Sequence, residues 1–201
     1  MHIPRLILIT DSARLERERF FEVVKAALEG GVDAVLAREK QMDSAQLLAF
    51  LARLKSMTRR HGARLIVHTQ ADAARAVAAD GVHVSAADMG DLPAIRRWMD
   101  DARVSLSASC HNARELKHAA ELGADFALLS PVFPTSSHPG APHLGPAQFR
   151  QMAEGAKLPV IALGGITQKN RGELSGYGAA VIGAILDADD PQGAARHLSS
   201  P

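Results

Sequence analysis

Cysteine is nearly missing from this 201-residue chain: Cys110 stands alone, so no internal disulfide can form and a reducing, cytoplasmic setting is expected. Aromatic residues make up only 4%, too few for a surface that binds nucleic acid by stacking bases. Neither sign of charge is in excess. With 23 lysines and arginines against 22 aspartates and glutamates, no basic field invites nucleic acid or anionic lipid. Long apolar runs are lacking too; the one near the amino terminus is too short for a signal peptide or a membrane span, and Asp11 ends it. Nine histidines are present, but none falls in an H-x-x-x-H or H-E-x-x-H pattern, which argues against a zinc centre. His2, His61, His118 and His197 lie at the terminus or on helical stretches, where exposure is expected. No G-x-G-x-x-G follows the first apolar run, which sets aside a dinucleotide-binding sheet.

What is present is an alternation. Short β-branched runs at Arg5–Thr10, Asp33–Ala37, Arg64–His68, Gly81–Val84, Arg103–Ser109, Asp125–Leu129, Leu158–Leu163 and Ala179–Ile182 read as strands. Between and after them, Leu15–Glu29, Ser44–His61, Asp72–Ala79, Leu92–Asp100, Ala113–Leu122, Pro146–Gly155, Gln168–Gly176 and Gln192–Ser199 read as helices. Glycine recurs between helix and strand, at Gly30-Gly31, Gly81 and Gly123. Eight strand–helix units in 201 residues predict an α/β chain folded as one (β/α)8 TIM barrel, a single domain over 1–201.

Such a barrel carries its site at the carboxyl ends of the strands. After strand two, alternation places Leu36, Arg38 and Lys40 on one side and Glu39 on the other. Two cations at the mouth suit a phosphate or pyrophosphate, the alternative being a solvated charged loop. Gly164-Gly165 after strand seven and Gly183 after strand eight fit the backbone cup that holds phosphate in this fold, or two ordinary glycine turns. The loop from Pro131 to Gly140 offers Thr135 and Ser137 as donors and His138 as a cation or proton carrier, unless it is simply a rigid surface loop. On strand five, Ser105, Ser107, Ser109 and His111 share one side. Ser109 is therefore expected to look into the barrel and Cys110 to pack against helices. A nucleophilic Cys110–His111 pair has poor geometry for strand neighbours.

These rim motifs, taken in order, resemble the thiamine-phosphate synthase / TenI family. The likeness rests on Leu8-Ile9-Thr10-Asp11, Arg38-Glu39-Lys40, Asp80-Gly81-Val82-His83, Gly123-Ala124-Asp125, Pro131-Val132-Phe133-Pro134-Thr135 and Gly164-Gly165-Ile166-Thr167. The resemblance implies a transferase that joins hydroxymethylpyrimidine pyrophosphate to thiazole phosphate with Mg²⁺ and releases pyrophosphate. It assigns pyrophosphate to Arg38 and Lys40, Mg²⁺ to Asp88, and substrate phosphates to Ser109, Thr135 and Ser137. Thiazole phosphate would lie against Gly164, Gly165 and Gly183, with His68 and His138 also at the site.

Several positions depart from the family pattern. Leu36 replaces a glutamine, His68-Thr69 replaces Asn-Asp and so removes a metal carboxylate, and His138 replaces a lysine. Asp72 lies close by and reads as a helix cap rather than a replacement ligand. A protonated His68 or His138 could offset leaving-group charge in the metal's place. The tautomerase branch has a histidine where this chain has Pro131. Ser107-Ala108-Ser109-Cys110-His111, together with 137–142, looks closest to a divergent branch often found behind a Nudix hydrolase domain. Two other readings stand beside coupling: a regulatory barrel that only binds a phosphorylated ligand, and a thiazole phosphate isomerase using His68, His111 or His138. Partners are expected to be small phosphorylated substrates, with no nucleic acid and no membrane, and a homo-oligomer is left open.

Overall fold

The computed structural model describes residues 3–135, 140 and 142–200. Eight parallel strands close in sequence order into a barrel: β1 Leu6–Ile9, β2 Ala34–Ala37, β3 Arg64–His68, β4 Gly81–Val84, β5 Ser105–Cys110, β6 Phe126–Leu129, β7 Val160–Leu163 and β8 Ala179–Val181. Every strand read from the alternation is found, β3 and β4 with the same ends and the others with ends shifted by at most two residues. Around them run α1 Arg17–Glu29, α2 Ser44–Arg60, α3 Ala71–Ala76, α4 Leu92–Met99, α5 Ala113–Glu121, α6 Gly145–Glu154, α7 Gly183–Leu186 and α8 Pro191–Ser199. No helix among the described residues is long and apolar enough to cross a membrane.

The strand period of two sorts side chains into two cores. Outward positions such as Leu8, Val35, Val67, Leu106 and Cys110 pack under the helices. Inward positions fill the barrel with Ile7, Leu36, Ile66, Phe126, Leu128 and Ile161.

At the amino-terminal end one device recurs. The aspartate before each even strand from β2 to β6 accepts an amide from the first two residues of the strand preceding it. Asp33 takes Leu6 N at 3.0 Å, Asp80 takes Leu65 N at 2.8 Å, and Asp125 takes Leu106 N at 2.6 Å. Lys55 and Arg96 neutralise Asp80 and Asp125 at 2.7 Å each. These carboxylates satisfy amides that begin a ladder, so that end of the barrel is closed by charge-assisted bonds.

Three expectations need correction. The stretch 168–176 is not a helix; only Arg171–Leu174 turns, as a 3-10 segment. Gly172 and Gly176 weaken helix formation there. Arg171, almost fully buried, instead pins the segment by donating to the carbonyls of Leu174, Tyr177 and Leu198. Asp72 caps nothing, because α3 begins one residue earlier with Gln70 at its cap. Finally, α7 follows β8 directly, too short for its Ala-Ile-Leu run to show a period.

Candidate functional site

The loops after β2 and β3 enclose a cavity of about 200 Å³ lined by Arg38, Lys40, His68 and Thr69 and, on its outer side, by Glu39, Leu47 and Val67. Alternation sends Glu39 the other way, as expected. Its carboxylate accepts the amide of Ser12 at 3.1 Å and the Ser12 hydroxyl at 2.7 Å, tying the loop after β1 to the loop after β2. Buried Thr10 completes that tie by accepting the Arg38 amide at 2.9 Å. With its backbone clamped and its guanidinium at the mouth, Arg38 makes no side-chain ion pair among the described residues, and neither does Lys40. Two cations without carboxylates form a ready anion site.

The neighbouring histidines answer to those cations. Burial, then the positive charge of Arg38, pushes His68 down to about 4, while Asp88 pulls it the other way. His68 is therefore a neutral imidazole at physiological pH, not the imidazolium that could offset leaving-group charge. His83, fully buried, is pushed down to about 3 by burial and then by His68 and Arg38. Its two ring nitrogens lie 2.9 Å from Ser107 Oγ and 2.9 Å from Ser109 Oγ. Ser109 thus looks into the barrel as read from the alternation. His83 belongs to a motif of the sequence but was given no role, because one histidine in an apolar-looking strand shows no partner until β5 is seen beside it.

Thr69 adopts a left-handed backbone, φ 57°. Its amide donates to the His83 carbonyl at 2.7 Å and its hydroxyl to the His68 carbonyl at 2.9 Å. A β-branched residue is strained in that conformation.

Across the mouth, Gly164 and Gly165 also have positive φ, 98° and 66°. A Cβ on Gly165 would lie 2.3 Å from the Pro134 carbonyl oxygen and 2.7 Å from Phe133 Cβ, and one on Gly164 would lie 2.8 Å from Pro131 Cα. The loop after β6 is laid onto them by Val132 N donating to Leu163 O and Phe133 N donating to Gly164 O. Packing alone thus requires both glycines, and the cup they shape leaves the Gly165 amide without an acceptor among the described residues. Asn170 closes the turn, accepting Thr167 N at 2.8 Å and donating to Gly165 O at 2.9 Å. Thr135 lies at the end of this described loop; Ser137 and His138 lie outside the described residues.

Beside Gly183 stands a residue that sequence reasoning passed over. Arg14 donates to Asp11 at 2.7 Å and to Asp187 at 2.8 Å, and a Cβ on Gly183 would meet the Asp187 carboxylate at 2.5 Å. Those pairs hold Arg14 above its usual range, the Asp11 hydrogen bond most of all. The local pair with Asp11 does not mark Arg14 as part of the cup, since its partner there, Asp187, is 173 residues away.

His111 is exposed, its Nδ1 held 2.9 Å from the Ser130 carbonyl and its amide by Glu115, so it pins a loop. Cys110 is buried among outer-core side chains, and burial, then Glu115, pushes its thiol up to about 12. A nucleophilic pair is not formed, since a thiolate is what attacks.

For Mg²⁺ the donors must be hard oxygens. Among the described residues no three His, Cys, Asp or Glu side chains gather in metal-binding geometry. Asp88 is exposed, accepting the Ser85 hydroxyl at 2.6 Å, and its charge reaches His68. These residues do not build a magnesium site from protein groups alone.

Known proteins resemble this chain over most of its length. Residues 6–187 match the family model described as thiamine monophosphate synthase. A thiamine-phosphate synthase of Chloroflexus aurantiacus is 36% identical over 198 residues, covering 96% of this chain and 90% of that protein. One from Methanobrevibacter smithii is 31% identical over 196 residues, covering 96% and 92%. The structure of a thiamine phosphate pyrophosphorylase from Pyrococcus furiosus superposes with a TM-score of 0.85 at 34% identity, over 96% of this chain and 93% of that one. A 3-hexulose-6-phosphate synthase, 18% identical with a TM-score of 0.71, shares the fold alone. The chain belongs to the thiamine monophosphate synthase family.

Proposed function

We propose that this protein is a thiamine-phosphate synthase, a transferase that joins hydroxymethylpyrimidine pyrophosphate to thiazole phosphate. The observation that carries this reading is the pair Arg38 and Lys40, two cations without ion-pair partners among the described residues, on a cavity of about 200 Å³ in a family member. The C–O bond between the pyrimidine methylene and pyrophosphate breaks, and the thiazole nitrogen forms the new C–N bond. Arg38 and Lys40 hold the leaving pyrophosphate where its charge grows, which is where fixed positive charge lowers a barrier most. Ser109 donates to the same anion from inside the barrel. Thiazole phosphate lies on the backbone of Gly164, Gly165 and Gly183, with Thr135, Ser137 and His138 as further donors. Arg14 balances Asp187 at that end of the cup. Neutral His68 takes part in substrate binding as a hydrogen-bonding imidazole.

Magnesium enters this reading as an ion carried in by pyrophosphate, with Asp88 its one protein carboxylate. It supplies positive charge to the leaving group when bound. Placement in the branch found behind Nudix domains is supported only by Ser107 to His111 and the 137–142 segment. The test is a coupled assay with both precursors, with and without Mg²⁺. Formation of thiamine phosphate supports the transferase. Binding of thiazole phosphate without product favours the ligand-binding barrel, and interconversion of thiazole phosphates alone favours the isomerase.

A further inference from the structure

We propose that Ser107, His83 and Ser109 form a hydrogen-bond relay in which buried Ser107 and His83 present the Ser109 hydroxyl as a donor to the substrate's pyrophosphate. This deepens the reading above and rests on it. The observation is geometric. His83 is 2% exposed, spans β4 to β5, and meets Ser107 Oγ with Nδ1 and Ser109 Oγ with Nε2, both at 2.9 Å. Ser107 is 1% exposed, whereas Ser109 is half-buried toward the mouth. Ser105, on the same face of β5, is turned away to the Asp80 carbonyl.

A neutral imidazole has one N–H donor and one bare acceptor, so the relay has two arrangements. In one, Nδ1–H donates to Ser107 and Nε2 accepts the Ser109 proton. Ser109 then shows the mouth only lone pairs, which repel an anion. In the other, Ser107 donates to Nδ1 and Nε2–H donates to Ser109, whose own proton is free for a phosphate oxygen. An anion held by Arg38 selects the second arrangement. Burial keeps His83 uncharged, so the selection changes a tautomer and two hydroxyl rotors and adds no charge to the interior. Ser107 and His83 are positioning residues: they act on substrate through Ser109.

The test uses the intact protein labelled with ¹⁵N in its histidine rings, titrated with inorganic pyrophosphate and followed by NMR. Saturation is expected to leave His83 with a protonated Nε2 and a bare Nδ1. An Nδ1–H form at saturation, or no response of His83 to pyrophosphate, overturns the relay. Ser107→Ala is expected to lower kcat about tenfold while leaving KM for thiazole phosphate unchanged. Ser107→Thr, which keeps the hydroxyl, should restore most of the loss. An unchanged kcat in folded Ser107→Ala overturns the proposal. The two readings fail separately. A protein that makes no thiamine phosphate yet takes the Nε2–H form keeps the relay and loses the coupling reaction. One that couples both precursors with His83 in the Nδ1–H form loses only the relay.

Discussion

Along β6, β7, β8, β1 and β2 the inward positions carry Phe126, Leu128, Ile161, Ala180, Ile7 and Leu36, whereas β3 to β5, apart from Ile66 low in the barrel, present His68, His83, Ser107 and Ser109. Both arcs come from the same strand period and line the same barrel. The apolar arc gains by excluding water. The histidine arc buries polar groups that must be hydrogen-bonded to be tolerated at all. Inside the strands, packing thus dominates one arc and hydrogen-bonded polar groups the other, while the rim above both carries Arg38, Lys40 and the glycine cup, and substitutions at these places should be felt by different measurements.

The largest expected effect is on the apolar arc. Phe126 is 1% exposed inside the barrel, so Phe126→Ala should cost about 3–5 kcal/mol of unfolding free energy by denaturant titration. In the folded fraction, KM for the pyrimidine pyrophosphate should stay within about twofold. A specific loss of pyrophosphate affinity at preserved stability would break the contrast between the arcs. The reverse pattern is expected at the mouth. Arg38→Ala should lower kcat/KM about 10²- to 10³-fold, as losing one preorganised charge contact to the transition state does. Its unfolding free energy should move by no more than about 0.5 kcal/mol, since among the described residues the Arg38 side chain has no ion pair to lose. Equal small losses for pyrophosphate and monophosphate ligands would return Arg38 and Lys40 to a solvated loop.

How far the sequence showed this division differs between the arcs. The alternation of β-branched runs exposed all eight strands, and in the second and fifth their two faces, because a period of two needs only neighbours along the chain. The pair Arg38 and Lys40, the opposite-facing Glu39, and Ser109 against Cys110 were legible for the same reason. What stayed hidden depends on contacts between distant strands. His83 becomes a relay only when β4 lies beside β5, and Arg14 reaches the cup only through distant Asp187. The glycines at 164 and 165 were visible, but their cause is the approach of Phe133 and Pro134 from another loop. The overestimated helix at 168–176 has the same origin, since Arg171 binds carbonyls as far away as Leu198.

Acid should sharpen the contrast further, because both buried histidines lie on one arc. Their folded values, about 4 for His68 and about 3 for His83, lie below the ordinary 6.5. Between roughly pH 6.5 and those values the unfolded chain binds protons that the folded chain does not, so stability falls as pH falls. For His83 alone the loss amounts to about 2 kcal/mol at pH 5. Chemical denaturation at pH 7 and pH 5 measures it, and His83→Gln should flatten the slope. A slope unchanged in that variant would mean that the acid sensitivity comes from elsewhere.

The smallest effect lies where the polar arc meets its loop. Thr69 holds φ 57° with a branched Cβ, a conformation that costs an L-residue roughly 1–2 kcal/mol and that asparagine tolerates better. Its amide bond to the His83 carbonyl is a backbone bond, which any residue at this position keeps. What replacement removes is the hydroxyl's bond to the His68 carbonyl at 2.9 Å and its longer contact with His68 Nδ1 at 3.3 Å, both to the adjacent residue. Thr69→Asn should therefore raise stability by about 1 kcal/mol, or about 2–4 °C in Tm for a chain of this size. Thr69→Asp should share part of that gain and also set a second carboxylate near Asp88, raising Mg²⁺ affinity in the presence of pyrophosphate. Asp88→Ala should remove the metal response in both backgrounds. A lower Tm for Thr69→Asn would show that the threonine is held by packing that outweighs its backbone strain. A Thr69→Asp protein that binds Mg²⁺ no better would show that the carboxylate at this turn does not reach the ion.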